Sequence, residues 1–161
     1  MYTSFSQLSD QAHIWIYQAN RQLTNQEVAA ILRKSKTFLE AWNSHGRSLQ
    51  CAAEVLYNRF LVLAVERSIQ ELSCCTVDSA IHFLHELKDT LQLDLLDRTN
   101  VVFKQGDTIF TAPLDQIKEK IQQGKILADT LMFDNTITHK AALADKWLVP
   151  VKNSWLGKYI H

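Results

Sequence analysis

Glycine is scarce and scattered in this chain. Its four glycines stand at positions 46, 106, 124 and 157. A P-loop needs Gly-x-x-x-x-Gly-Lys-Ser/Thr, because closely spaced backbone N–H groups must wrap the phosphates. Gly124-Lys125 is followed by Ile126, which has no hydroxyl for Mg²⁺. No Gly-x-Gly-x-x-Gly occurs either. Both findings argue against those two classes of nucleotide site, though not against every nucleotide ligand. An excess of charge of one sign is also missing, since 17 Lys plus Arg balance 17 Asp plus Glu. Nucleic-acid binders carry a basic excess, so no nucleic-acid partner is expected. No apolar run approaches the roughly 20 residues of a membrane span. Residues 1–11 lack a basic start and an apolar h-region, so no signal peptide is expected. Three cysteines, two of them adjacent, make a poor disulfide framework. These absences together point to a protein of a reducing cytoplasm.

What is present is a core-forming chain with a hydrophobic share of 47% over 161 residues. Residues 73–98 organise it. Thr76 has the form of an N-cap, and Asp78 falls in the first turn, where the helix dipole favours a carboxylate. A 100° step puts Val77, Ala80, Ile81, Leu84, Leu87 and Leu91 on one face. Asp78, Ser79, His82, Glu86 and Asp89 take the opposite face, with His85 near its edge. Residues 91–96 then read as an extended segment.

Upstream, residues 12–18 are β-branched and aromatic, which predicts a strand. Thr24-Asn-Gln-Glu27 has the capping-box form. Val28, Ile31, Leu32, Phe38, Leu39 and Trp42 follow at helical spacing, interrupted by Ser35, so a helix to about Asn43 is expected, closing near His45-Gly46. Residues 49–66 read as two strands joined near Asn58, a residue that tolerates turn geometry. The continuous apolar run at 60–65 predicts a buried strand. The order strand, helix, strand, strand, helix, strand is that of the ferredoxin-like split βαβ fold. An α+β core with an antiparallel sheet is therefore expected over residues 1–98.

Residues 99–161 are expected to form a small α/β lobe packed on that core. Val101-Val-Phe103 and Thr108-Ile-Phe110 form a second hairpin, turned by Gly106-Asp107. Ala112-Pro-Leu-Asp115 starts a short helix with Leu114, Ile117 and Ile121 inward and Gly124 at its end. Residues 129–133 predict a strand, 140–147 a brief helix and 153–160 a terminal one carrying Trp155 and Tyr159.

Four constellations could carry chemistry. Cys75 stands at a helix start, where the dipole lowers a thiol pKa. His82 is two turns away, roughly 10 Å by the helical rise, so a partner would come from elsewhere, such as His45 or His13. The plainer reading is packing of Cys74 and Cys75 at a helix entry. Asp78 with His82, or His82 with His85, could share one ion, but a zinc site wants three or four ligands, and a solvated face explains them. No metal or other cofactor is implied. Arg59, Asp97 and Arg98 form the third group. An arginine at a strand end can hold a carboxylate or phosphate bidentately. An ion pair between sheet and lobe would place the same charges together. Finally, Trp15, Trp42, Trp147 and Trp155 could line a groove, though packing is the plainer reading.

Three segments together resemble a known family. They are Trp15-Ile-Tyr-Gln-Ala-Asn-Arg21, Asn58-Arg-Phe-Leu-Val-Leu-Ala-Val-Glu66, and residues 73–98 with their Cys75-Thr-Val-Asp-Ser-Ala80 core. With Trp147-Leu-Val-Pro150 and Trp155-Leu156, they look like short bacterial proteins found chiefly in Bacteroidetes and often labelled "ABC transporter ATPase". The likeness implies the family but not that activity, because the Walker A element and a Leu-Ser-Gly-Gly-Gln-type signature are absent. Family members show Gly-Cys-Ser where this chain has Cys74-Cys75-Thr76, so Cys75 matches the family cysteine and Cys74 does not. Residues 114–147 are similar to a small bacterial GYF-like module, without the Gly-Tyr-Phe triplet. Such modules bind peptides or partner proteins.

The chain is accordingly expected to be a non-catalytic binding or adaptor module with a protein or peptide partner. The alternative is a small enzyme using Cys75. Two separate regions are expected: a thiol end with Cys75 and Asp78, and an arginine end with Arg59 and Arg98. The turn carrying Arg59 is expected where the first strand begins. Purified protein should show no saturable Mg·ATP hydrolysis. Turnover that stays with the protein through successive purification steps would overturn this.

Overall fold

The computed structural model describes residues 2–44, 47–48, 50–66 and 74–160; side chains at 43–44, 47–48 and 74–76 fall outside that description. The chain divides into two compact α+β units. The first comprises Met1–Asp97 and Thr138–Ala141, the second Arg98–Ile137 and Ala142–His161.

The first unit opens with β1 (His13–Gln18), α1 (Asn25–Glu40) and a minimal ribbon of β2 (Asn43–Ser44) and β3 (Arg47–Ser48). It continues with β4 (Cys51–Leu56), β5 (Phe60–Val65) and α2 (Cys74–Leu91). The main sheet has the order β1-β5-β4, with β5 antiparallel to both neighbours. Every residue of β5 is buried, as its unbroken apolar run predicts. Leu61, Leu63 and Val65 share one core with Cys51 and Ala53 of β4. Ile31 and Leu39 of α1 and Ala80, Leu84 and Leu87 of α2 belong to the same core. The α2 face read from the 100° step is therefore the face that packs, while Asp78, Ser79, His82, Glu86 and Asp89 are exposed.

The capping box forms as expected. Glu27 N–H donates to Thr24 Oγ1 at 3.1 Å, and Thr24 N–H donates to Glu27 Oε1 at 3.0 Å. Several boundaries differ from expectation. α1 ends at Glu40 rather than Asn43, and residues 45–46 lie outside the described residues. α2 already includes Cys74, so Thr76 sits inside the helix and is not its cap. Helix ends are set by local hydrogen bonding that side-chain periodicity does not register.

The strand expected after α2 is not formed. Gln92 closes α2 in left-handed backbone, φ 52°. Asp94 then turns its carboxylate back to accept Leu96 N–H at 2.8 Å, and its carbonyl accepts Asn20 N–H at 2.9 Å. Such a local side-chain bond competes with a strand ladder. Leu93 and Leu95 are still buried, but from an irregular segment. The outer edge of β1 is covered instead by residues 138–141. Ile14 N–H donates to Thr138 C=O and Lys140 N–H to Ala12 C=O, at 2.9 and 3.0 Å. Lys140 Nζ also donates to the carbonyls of Phe5 and Leu8, at 2.9 and 2.8 Å.

The second unit is a four-stranded antiparallel sheet of order β7-β6-β8-β9. Its strands are β6 (Asn100–Gln105), β7 (Thr108–Pro113), β8 (Leu131–Phe133) and β9 (Leu148–Pro150), with α3 (Ile117–Gln122) and α4 (Ala142–Asp145) between them. Gly106-Asp107 makes the expected turn, with Gly106 at φ 60°. Phe103, Ala112, Ile117, Ile126, Met132, Val151 and Leu156 form its core. Leu114 is 48% exposed rather than inward. The helix opens with a 3-10 turn at Leu114–Gln116, whose tighter winding shifts the phase read from a 3.6-residue period. Among the described residues, no helix is long and apolar enough to cross a membrane.

Leu84, 1% exposed, should cost about 2–5 kcal/mol when cut to alanine. His82→Ala, on the exposed face, should cost little. Chemical unfolding of the two variants checks this, and comparable small losses would contradict the packing of α2.

Candidate functional site

The β4–β5 turn positions Arg59. Tyr57 and Asn58 both take left-handed backbone, at φ 56° and 50°. Arg59 N–H donates to Leu56 C=O at 3.1 Å. Consecutive left-handed residues match the right-handed twist of a hairpin, and Asn bears that conformation at low cost. The register Gln18↔Phe60 and Leu56↔Phe60 puts this turn where β1 finishes, not where it begins as expected. The reason is that β4 runs parallel to β1 with β5 returning between them.

The loop after β1 braces the turn. Ala19 N–H donates to Arg59 C=O at 2.8 Å and Leu23 N–H to Asn58 C=O at 2.7 Å. Asn58 Nδ2 donates to Asn25 Oδ1 at 3.2 Å. Arg21 grips Glu27 with both terminal nitrogens, at 2.7 and 2.5 Å. That fork is the main reason the Glu27 carboxyl is lowered to about 2; the Thr24 backbone bond adds to it. Residues 19–23, 58–59 and 94, drawn from three separate segments, are thus linked by hydrogen bonds at one end of the sheet.

Arg59 is only 8% exposed. No carboxylate among the described residues pairs with it, and burial alone lowers its proton affinity. Asp97, half-buried, ends the longer segment of the first unit, and Arg98, exposed, opens the second unit.

Asp78 is exposed beside Ser79, whose Oγ accepts Trp42 Nε1–H at 3.1 Å. Trp42 follows the C-terminus of α1, while the Thr24 cap by the Arg59 turn is at its N-terminus. Asp78 and Arg59 are therefore at opposite ends of a 16-residue helix, roughly 24 Å long. The side chain of Cys75, and His45, lie outside the described residues. His13 is buried in ring contact with Trp15 and His139, and burial followed by the His139 charge pushes its pKa down. Cys51 is buried, its thiol pushed up by burial, with Sγ 3.4 Å from Leu39 C=O. No group of three His, Cys, Asp or Glu side chains among the described residues could hold a metal ion.

A further hollow of about 460 Å³ runs between α1 and α2. Phe38 and Phe83 stack at its floor, 4.6 Å apart and 6° from parallel, beside buried Leu87. Arg33, Lys34 and Thr37 form one wall, Glu86 and Thr90 the other. Phe83 belongs to neither of the α2 faces defined by the 100° step. Its signal was an aromatic at the border of the apolar stripe, where neighbouring helices meet.

Comparison with protein-family models, with curated proteins and with solved structures finds no match to this chain.

Glu27 yields a pH prediction. Its folded pKa of about 2 lies below the ordinary 4.5. The stabilisation is therefore complete above the ordinary value and is lost as pH falls through the folded one. Glu27→Gln should weaken the fold at neutral pH, and the gap to wild type should close in acid. Urea unfolding over a pH series checks this; an unchanged gap near pH 2 would contradict it.

Proposed function

We propose that this protein is a non-catalytic binding module of the bacterial cytoplasm, receiving a protein segment in the groove between α1 and α2. The observation that carries the reading is the floor of that groove. Stacked Phe38 and Phe83 offer an apolar seat, and Phe38 is only half-buried. Covering it would remove apolar surface from water. The walls give orientation: two cations on α1 face one carboxylate on α2. A segment with an apolar anchor and an acidic residue turned to Arg33 and Lys34 fits that pattern.

Two resemblances support the adaptor reading. The second unit's likeness to GYF-like modules suggests another peptide-binding surface. Two linked binding modules raise the effective concentration of the second event. The β1-α1-β4 unit, with β5 between its strands, supports kinship with ferredoxin-like folds in a form without the last strand. The segments at 15–21, 58–66 and 73–98 support membership of the Bacteroidetes family.

Peptide display on the full-length protein tests the function. Enriched peptides should carry an apolar anchor beside a carboxylate and should shift the amide resonances of Arg33, Thr37, Phe83 and Thr90. Charge reversal by Lys34→Glu should weaken them about tenfold, the loss of roughly 1.4 kcal/mol. Binders that leave those resonances unmoved, or bind the variant equally well, would overturn the groove as the site.

A further inference from the structure

We propose that Arg59 is the receptor for a small oxyanion, a carboxylate or a phosphate, at the β4–β5 turn. A buried guanidinium without a counter-charge is an uncommon arrangement, because taking a cation out of water is costly unless it is paired. The nearby acids do not supply that pairing. Glu27 is held by Arg21 and the Thr24 backbone. Asp94 spends its carboxylate on Leu96 N–H. Among the described residues, the buried Arg59 thus has no compensating carboxylate, while Glu27 and Asp94 serve local bonds.

Access and rigidity fit a ligand. Among the described residues, Ser35 Oγ is the one buried side-chain polar atom sealed off without a partner. The Arg59 nitrogens are not among such sealed atoms, although the residue as a whole is only 8% exposed. Hydrogen bonds from Ala19, to Leu56 and through Asn58 fix the backbone on either side. The backbone that carries Arg59 is thus held in place, and the parallel N–H groups of a guanidinium match the two oxygens of a carboxylate or phosphate. The anion can be a free ion or a carboxylate at the end of another chain; the chemistry is the same.

Thermal unfolding of the full chain, with chloride replaced at constant ionic strength, tests this. The probes are inorganic phosphate, acetate and an acetylated dipeptide with a free C-terminus. Wild type should gain on the order of 5–10 °C in Tm at about a hundredfold excess of anion over its Kd. Arg59→Met should give no response, and Arg59→Lys a weaker one. A rise with phosphate or acetate identifies a free ion as sufficient; a rise with the dipeptide alone identifies a protein terminus. Equal responses in wild type and Arg59→Met, or none in wild type to any probe, would overturn the proposal. Should the Met variant not fold, the Nε–Hε resonance of wild-type Arg59 decides: a saturable shift with anion supports the site, and an unmoved resonance overturns it.

Discussion

The strand β5 is Phe-Leu-Val-Leu-Ala-Val, buried at every position and without a polar side chain. Its backbone donors and acceptors must therefore be paired within the sheet, since burial leaves them no water. β1 supplies one edge and β4 the other, each over six residues in unbroken register. Because both are antiparallel to β5, they are parallel to each other. α1 must then carry the chain from the end of β1 back to the start of β4. The β4–β5 turn consequently meets the loop that leaves β1, and α2 departs from the other end of the sheet. The neighbourhood of Arg59 follows from how this one strand satisfies its hydrogen bonds.

Local signals in the sequence survived folding where nothing competed with them. Thr24 and Glu27 satisfy each other's backbone groups within one turn, so their spacing was enough. The apolar face of α2 was legible because its 3.6-residue period runs over several turns. Leu93 and Leu95 misled for a physical reason: alternate burial is what a strand shows, and they are alternately buried. Their irregular path is fixed by the carboxylate of Asp94 and by a bond from Asn20, more than seventy residues earlier. No local pattern encodes such a partner.

The candidate sites divide the same way. Arg59 is marked in the sequence by its residue type and its place beside a turn-forming Asn. That no carboxylate among the described residues pairs with it depends on where Glu27 and Asp94 direct theirs, which only the assembled loops decide. Phe38 and Phe83 come from helices distant in sequence, and each lies at the border of its own stripe. Their stack forms where α1 and α2 pack together, a contact that neither helix encodes alone.

Residues 138–141 give the first unit a discontinuous origin. On a ribosome, residues 1–97 emerge about 40 residues ahead of the segment that covers the outer edge of β1. At roughly 5–20 residues per second, that edge stays uncovered for about 2–8 s during synthesis. An uncovered strand edge is a template for pairing with another chain. The nascent protein therefore passes through an interval in which β1 is open to intermolecular strand pairing. Arrival of Thr138 and His139, anchored through Lys140 to the carbonyls of Phe5 and Leu8, ends that interval.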